Sequence, residues 1–295
     1  MVLKKAVLVG SLCGACLLGA EESGLYVQGG FQYSNFAGRT STDKTAIVMP
    51  DGSLPGANTL GLQTVENDKL LPYGMPTAMN GNLFGVDIQF GYRQFFGQKK
   101  HFGLRYYGIF SGQGGEFSGI SSGFVNQPAS NLFYGAGLDA LFNFYEKNER
   151  TLGVFAGVMI GGSSWIMGKA TGNASCRWPA YSRASKIINH SCGTTMDKSW
   201  SSLAYYINNP KADAGTSAKF SPTFVQFIVN MGFRTNLSKH QGFEFGVRVP
   251  TIDTPYFTIT NTRHLNALIG GGKNSKATLT FRRNVALYWN YVYNF

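Results

Sequence analysis

The stretch VALYWNYVYNF, residues 285–295, decides how the rest of the sequence is read. Val285, Leu287, Trp289, Tyr291, Tyr293 and Phe295 fall on one side, against Arg282, Asn284 and Asn290 on the other. A period of two is the mark of a strand with two unlike faces.

The same alternation recurs upstream. Leu25, Val27, Gly29, Phe31 and Tyr33 oppose Tyr26, Gln28, Gly30, Gln32 and Ser34. Phe84, Val86, Ile88, Phe90 and Tyr92 oppose Asp87, Gln89 and Arg93, and Phe102, Leu104 and Tyr106 oppose Arg105 and Tyr107. Tyr134 to Phe144 set apolar positions against Asp139 and Asn143, and Leu152, Val154, Ala156, Val158 and Ile160 follow. Val225 to Phe233 oppose Gln226, Asn230 and Arg234; Phe243 to Val249 oppose Glu244 and Arg248.

Short links at 97–100, 146–150 and 236–241 alternate with long ones at about 37–82, 111–130, 161–222 and 251–276. Eight strands joined in this way describe an all-β, up-and-down antiparallel barrel with long extracellular loops. An apolar outer face and a polar inner face place it in a membrane. A further hairpin within 251–276, where Tyr256, Thr258 and Thr260 alternate, would make ten strands. The segment 152–167 is no transmembrane helix, because it is too short and is broken by Gly and Ser.

Composition agrees. Charged residues are 14% of the 295 and aromatics also 14%, with 38 Gly. Soluble chains carry about a quarter charged residues, and disorder is excluded by the aromatics. Aromatics are expected to gather as girdles at the edges of the apolar band, with Tyr26, Tyr92, Tyr107, Trp165, Trp289 and Tyr293 as candidates. A net charge of +11 does not point to nucleic acid, because the cations form no helix or stripe.

The opening MVLKKAVLVGSLCGACLLGA has Lys4 and Lys5, an apolar core and small residues before Glu21 and Glu22. That is the layout of a secretory signal peptide, residues 1–20, cleaved after Ala20, which leaves the barrel as 21–295. Cys13 and Cys16 leave with it. Cys176 and Cys192 then read as a disulfide of an exported protein, closing a short loop for about 3 kcal/mol in the entropy model.

The stretches KHFGLRYYGIF, GLDALFNFYEKNERTLGVFAGVMIGGSSW, QFIVNMGFRTNL, KHQGFEFGVRVPTI and FRRNVALYWNYVYNF resemble the Helicobacter outer-membrane protein family, the Hop/Hor group of porins and adhesins. The resemblance covers most of 84–167 and 223–295. It implies an outer-membrane barrel of a Gram-negative cell with surface-exposed loops, here without the large extracellular domain of the family's adhesins. Surrounding lipid and lipopolysaccharide and the outer-membrane assembly machinery are the expected partners. Trp289, Tyr291, Tyr293 and Phe295 form the terminal amphipathic strand such machinery reads.

The inward charges are Asp87, Asp139 and Glu244 against Arg93, Arg105, Arg234, Arg248 and Arg282. An eight-stranded lumen is just wide enough for side chains to fill, so a plugging network of ion pairs is expected. A narrow Arg-lined pore is the other reading. His101, His190, His240 and His264 form no triad spacing, and acidic residues are few, so neither catalysis nor a cofactor nor a metal is expected. IGGGKNS at 269–275 lacks the spacing and hydroxyl of a phosphate loop.

The connection 161–222 is the candidate binding surface. Lys169, Arg177, Arg183, Lys186, Lys198, Lys211 and Lys219 outnumber Asp197 and Asp213 there. Arg177, Trp178, Tyr181, Arg183, Lys186 and Trp200 combine cations with aromatic faces, a set suited to a host glycan or surface receptor. Offsetting the anionic lipid around the barrel is the simpler use of the same charge. Two functions remain: a barrel presenting loops for host or glycan contact, and a porin-like channel for small solutes.

Overall fold

The computed structural model describes residues 21–42, 65–66, 69–70, 78–97, 100–119, 127–147, 149–170, 178–181, 188–191, 193–208, 216–261 and 275–295. In chain order the strands are β1 (Gly24–Thr42), β2 (Val65–Glu66), β3 (Lys69–Leu70), β4 (Ala78–Phe96), β5 (Phe102–Gly119), β6 (Gln127–Lys147) and β7 (Arg150–Met167). There follow β8 (Trp178–Tyr181), β9 (Ile188–Ser191), a helix α1 (Met196–Ile207), β10 (Thr216–Phe220), β11 (Thr223–Asn236), β12 (Gln241–Pro250), β13 (Thr254–Asn261) and β14 (Ser275–Asn294).

Strands β1, β4, β5, β6, β7, β11, β12 and β14 pair in that order, and β14 returns to β1. The antiparallel sheet therefore closes as a ring of eight. The closing seam runs from Tyr26↔Asn294 to Thr42↔Ala277. The tight links sit at one end, where Gly97, Lys100 and Glu149 adopt φ of 76°, 46° and 65° to reverse the chain.

The alternation at Tyr256, Thr258 and Thr260 is not a further hairpin. Strand β13 pairs with β14 from Thr254↔Phe281 to Asn261↔Ser275, and so prolongs β12 along the same neighbour. Likewise β10 pairs with β13 and prolongs β11. At the break after β12, the Gln226 side chain accepts from Ile252 N–H at 2.9 Å and donates to Ile252 O at 2.7 Å.

The staves outrun the expected ones, and the long links shrink accordingly. Crossing a bilayer takes about 9–11 residues, yet β1 has 19 and β6 has 21. The wall continues past the apolar band, and its sidedness reverses there. Near the tight turns, Val86, Ile88, Phe90, Phe142 and Phe245 face out while Gln28, Gln89, Arg105 and Asp139 face in. Further up, Asn80, Asn82, Glu116 and Lys276 face out, while Phe36, Met79, Leu83, Phe117, Leu279 and Phe281 fill the inside. One end of the barrel is built for lipid outside; the other is built like a soluble barrel, with an apolar core.

Two expectations change as a result. Tyr26, Tyr107 and Trp165 are buried inside and belong to no girdle, whereas Tyr92, Trp289 and Tyr293 do lie on the outer face. Arg282 is not in the lumen. The β1–β14 register steps from Asn35↔Val285 to Phe36↔Arg283, and this bulge at Asn284 exchanges the faces beyond it. The Arg282 side chain is 45% exposed and pairs with Asp253 at 3.3 Å, and Arg283 points inward in its place.

Inside, glycines stand opposite large rings. A Cβ on Gly137 would lie 2.4 Å from the Tyr107 ring, and one on Gly246 would lie 2.6 Å from that of Tyr288. The narrow lumen holds both tyrosines only because those facing positions carry no side chain.

Candidate functional site

The lumen is occupied in layers. At the turn end, the Glu21 carboxylate accepts from Arg234, from Arg93 at 3.3 Å and from Asn143 Nδ2 at 3.1 Å. Glu21 carries no signal of this role in the sequence, because it lies next to the cleavage point expected after Ala20, outside any alternating run. Its own N–H donates to Glu146 Oε1 at 2.7 Å.

Above it, Glu244 lies among three arginines: Arg105 at 2.5 Å, Arg93 at 3.3 Å and Arg234 at 3.9 Å. Arg105 also donates from Nε to Asp139 at 3.0 Å, and its guanidinium rests 4.7 Å from the Phe155 ring centre. Arg93 lies 4.3 Å over Tyr26. Asp139 further accepts from Tyr107 Oη at 3.2 Å and from Asn230 Nδ2.

The next layer is joined through Tyr288, which donates to Asn230 Oδ1 at 2.9 Å and carries the Arg248 guanidinium 3.8 Å over its ring. Arg248 pairs with Asp87, whose other oxygen accepts from Asn290 Nδ2 at 2.8 Å. Then come neutral groups: Gln32 donates to Ser111 Oγ, and Ser34 and Arg283 both donate to Gln113 Oε1 at 2.8 and 3.1 Å. The structure thus brings together seven of the eight expected interior charges. It adds Glu21 and Arg283, and removes Arg282.

The far mouth is closed by apolar packing. Helix α1 buries Met196, Ser199, Trp200, Leu203, Ala204 and Ile207, a 3.6-residue stripe along one face. The stripe joins Phe36, Leu83, Phe117, Trp165, Tyr256, Phe257 and Phe281 in one cluster. Trp200 is 1% exposed and packs on Phe257 with ring centres 4.6 Å apart, so it serves the closure and not a displayed surface.

Both ends of α1 are tied to the wall. Asp197 accepts from Tyr256 Oη at 2.6 Å and from Met167 N–H at 3.0 Å, while Thr195 Oγ1 caps the Lys198 N–H. At the other end, Asn208 accepts from Ala218 N–H at 2.9 Å and donates to Ala218 O at 2.7 Å. Burial holds the Asp197 carboxyl above the usual carboxylate range, against the opposing pull of the Tyr256 hydroxyl and the Met167 N–H. The helix was legible at Thr195 and in the spacing of Met196, Trp200, Leu203 and Ile207, inside what reads as one long polar connection.

Of the remaining candidates, Trp178 and Tyr181 begin and end β8, which pairs with β9 from Trp178↔Ser191 to Tyr181↔Ile188. Arg177, Arg183, Lys186, Cys176 and Cys192 lie outside the described residues. Trp289, Tyr291 and Tyr293 face outward on β14, and Phe295 is 67% exposed. His101 and His240 sit at tight turns against the carbonyls of Asn143 and Asn294. Among the described residues no three His, Cys, Asp or Glu side chains cluster as a metal site would need. A cavity of about 540 Å³, bordered by Ala140, Ala156, Met231 and Val247, lies on the outer wall, where acyl chains would cover it.

The chain is similar to OprG of Pseudomonas aeruginosa, with TM-score 0.40, 11% identity, and coverage of 94% of this chain and 98% of that one. Neisserial surface protein A matches with TM-score 0.30 and 11% identity, covering 92% and 98%. Ail of Yersinia pestis, the attachment invasion locus protein, matches with TM-score 0.28 and 9% identity, covering 91% and 98%. No curated protein matches. The family model described as Helicobacter outer membrane protein matches residues 87–295, from the middle of β4 through the last strand. The chain belongs to the Helicobacter outer membrane protein family and resides, as an eight-stranded barrel, in the outer membrane of a Gram-negative cell.

Proposed function

We propose that this barrel is a closed scaffold that presents surface loops for contact with host molecules, glycans in particular, rather than a channel. One observation carries the reading. The lumen is filled from Glu21 through the arginine–carboxylate layers, and α1 then covers the mouth with Trp200 and Leu203. The wall runs past the lipid band on the side where β7 leads into the connection that carries Arg177, Trp178, Tyr181, Arg183 and Lys186, the residues we assign to contact. The Cys176–Cys192 disulfide would hold that connection in shape, and the terminal aromatic strand would serve assembly. Cleavage after Ala20 would leave Glu21 as the first residue, its carboxylate inside the barrel.

Single-channel recording of the refolded chain in a planar bilayer tests this directly. The expected result is no steady conductance; a persistent open level would replace the scaffold with a pore. Glycan binding by whole cells should fall when 171–192 is shortened. Unchanged binding would remove that segment from the function.

A further inference from the structure

The lumen charges do not balance. Arg93, Arg105, Arg234, Arg248 and Arg283 face Glu21, Asp87, Asp139 and Glu244, so the described interior holds one cation in excess. Four of the arginines touch a carboxylate. Arg283 does not: it is 3% exposed, and its hydrogen bond goes from Nη1 to the neutral Gln113 Oε1 at 3.1 Å. Its guanidinium otherwise lies 5.9 Å from the Phe133 ring centre. Arg248 repels it, and the attraction of Asp87 is shared with Arg248, to which Asp87 is already paired.

A guanidinium does not shed its proton under these conditions, so neutralisation by deprotonation is not open to it. Leaving one buried without a counter-charge is costly. Donors beside it are left unused. Arg248 Nε and Nη2 and Gln113 Nε2 are buried and have no hydrogen-bond partner. These groups sit on successive inward steps of the wall: Arg248 reaches the Gln32–Ser111 level and Arg283 the Ser34–Gln113 level. Above them the apolar layer of Phe36, Phe117 and Phe281 begins.

We propose that the lumen binds one small monovalent anion, of the halide class, between Arg283 and Arg248, with the Gln113 amide as a further donor. One negative charge restores neutrality. A filled eight-stranded interior leaves no room for a larger solute, and the aromatic layer above shields the ion from the outer mouth. The anion is then part of the folded barrel, and its binding stabilises that state by mass action.

The test uses the full mature chain refolded in detergent, with urea unfolding followed at matched ionic strength in sodium bromide or sodium gluconate. The urea midpoint is expected to rise with bromide and to saturate as a single site. Arg283→Gln should lose the bromide dependence, whereas Arg282→Gln, one residue away on the outer face, should keep it. No bromide-specific rise in the wild type, or the same rise in Arg283→Gln, overturns the proposal. Should Arg283→Gln fail to refold, wild-type crystals grown in bromide decide the matter. An anomalous peak beside Arg283 is expected, and its absence is equally fatal.

Discussion

Arg105 and Glu244, 139 residues apart in sequence, meet in the lumen with Nη1 2.5 Å from Oε1. Glu244 also faces Arg93 and Arg234, so one carboxylate offsets the mutual repulsion of three guanidinium groups. Removing a single partner from a buried pair leaves the other charge uncompensated, which costs about 3–5 kcal/mol. Glu244→Gln keeps the shape and removes the charge. Its urea unfolding free energy in micelles should fall by roughly that amount. A loss below about 1 kcal/mol would mean that the layer is solvated like a surface pair.

Asp197 ties α1 to Tyr256 and to the end of β7, and its pH dependence runs opposite to that of most structural carboxylates. Its carboxyl is held above the usual range by burial, so the docked helix binds a proton more readily than the undocked one. Docking carries its electrostatic penalty at neutral pH and is relieved as pH falls through the raised value toward that of a free aspartate. Amide-exchange protection over 196–207 should therefore increase between pH 7 and pH 4. In Asp197→Asn the profile should be flat over the same interval. Protection that decreases on acidification would reverse the assigned sign.

The lipid-facing half of the barrel was plain in the sequence because its two faces are chemically unlike. Phe90 beside Gln89, or Phe245 beside Glu244, can be assigned to sides by inspection. The outer half has the same period of two but the opposite chemistry, so Met79, Asn80 and Phe117 read as loop. Arg282 reads as inward from the alternation alone, because a single bulged residue, Asn284, exchanges the faces and no local propensity marks where a bulge falls. Trp200 reads as a surface residue from sequence because its partner, Phe257, lies in a distant strand and only the closed ring brings the two together.

Gly246 lets the Tyr288 ring lie across the lumen. A Cβ there would stand 2.6 Å from the Tyr288 hydroxyl oxygen, and Tyr288 in turn joins Asn230 to the ring-stacked Arg248. Gly246→Ala should destabilise the barrel by about 1–3 kcal/mol through overpacking. Combined with Tyr288→Leu, the two losses should fall short of additive by at least about 0.5 kcal/mol, because they act on one contact. Strict additivity in the four urea midpoints would show that the ring has room to move aside.

A substitution at Phe295 distinguishes an effect on assembly from one on stability. The Phe295 side chain lies exposed on the outer face, edge-on to Tyr293 with ring centres 5.2 Å apart, and its N–H donates to Leu25 O at 3.1 Å. Phe295→Lys keeps that backbone bond. At the edge of the lipid band a lysine costs only about 0–1 kcal/mol, far less than at mid-depth. Refolding from urea into micelles should thus proceed nearly as in the wild type, with the same gel shift between heated and unheated samples. In cells, the amount reaching the outer membrane should drop several-fold if the terminal aromatic strand is what the assembly machinery reads. Equal losses in both settings would instead mean that Phe295 acts by holding the β1–β14 seam. Normal amounts in both would leave it without either role.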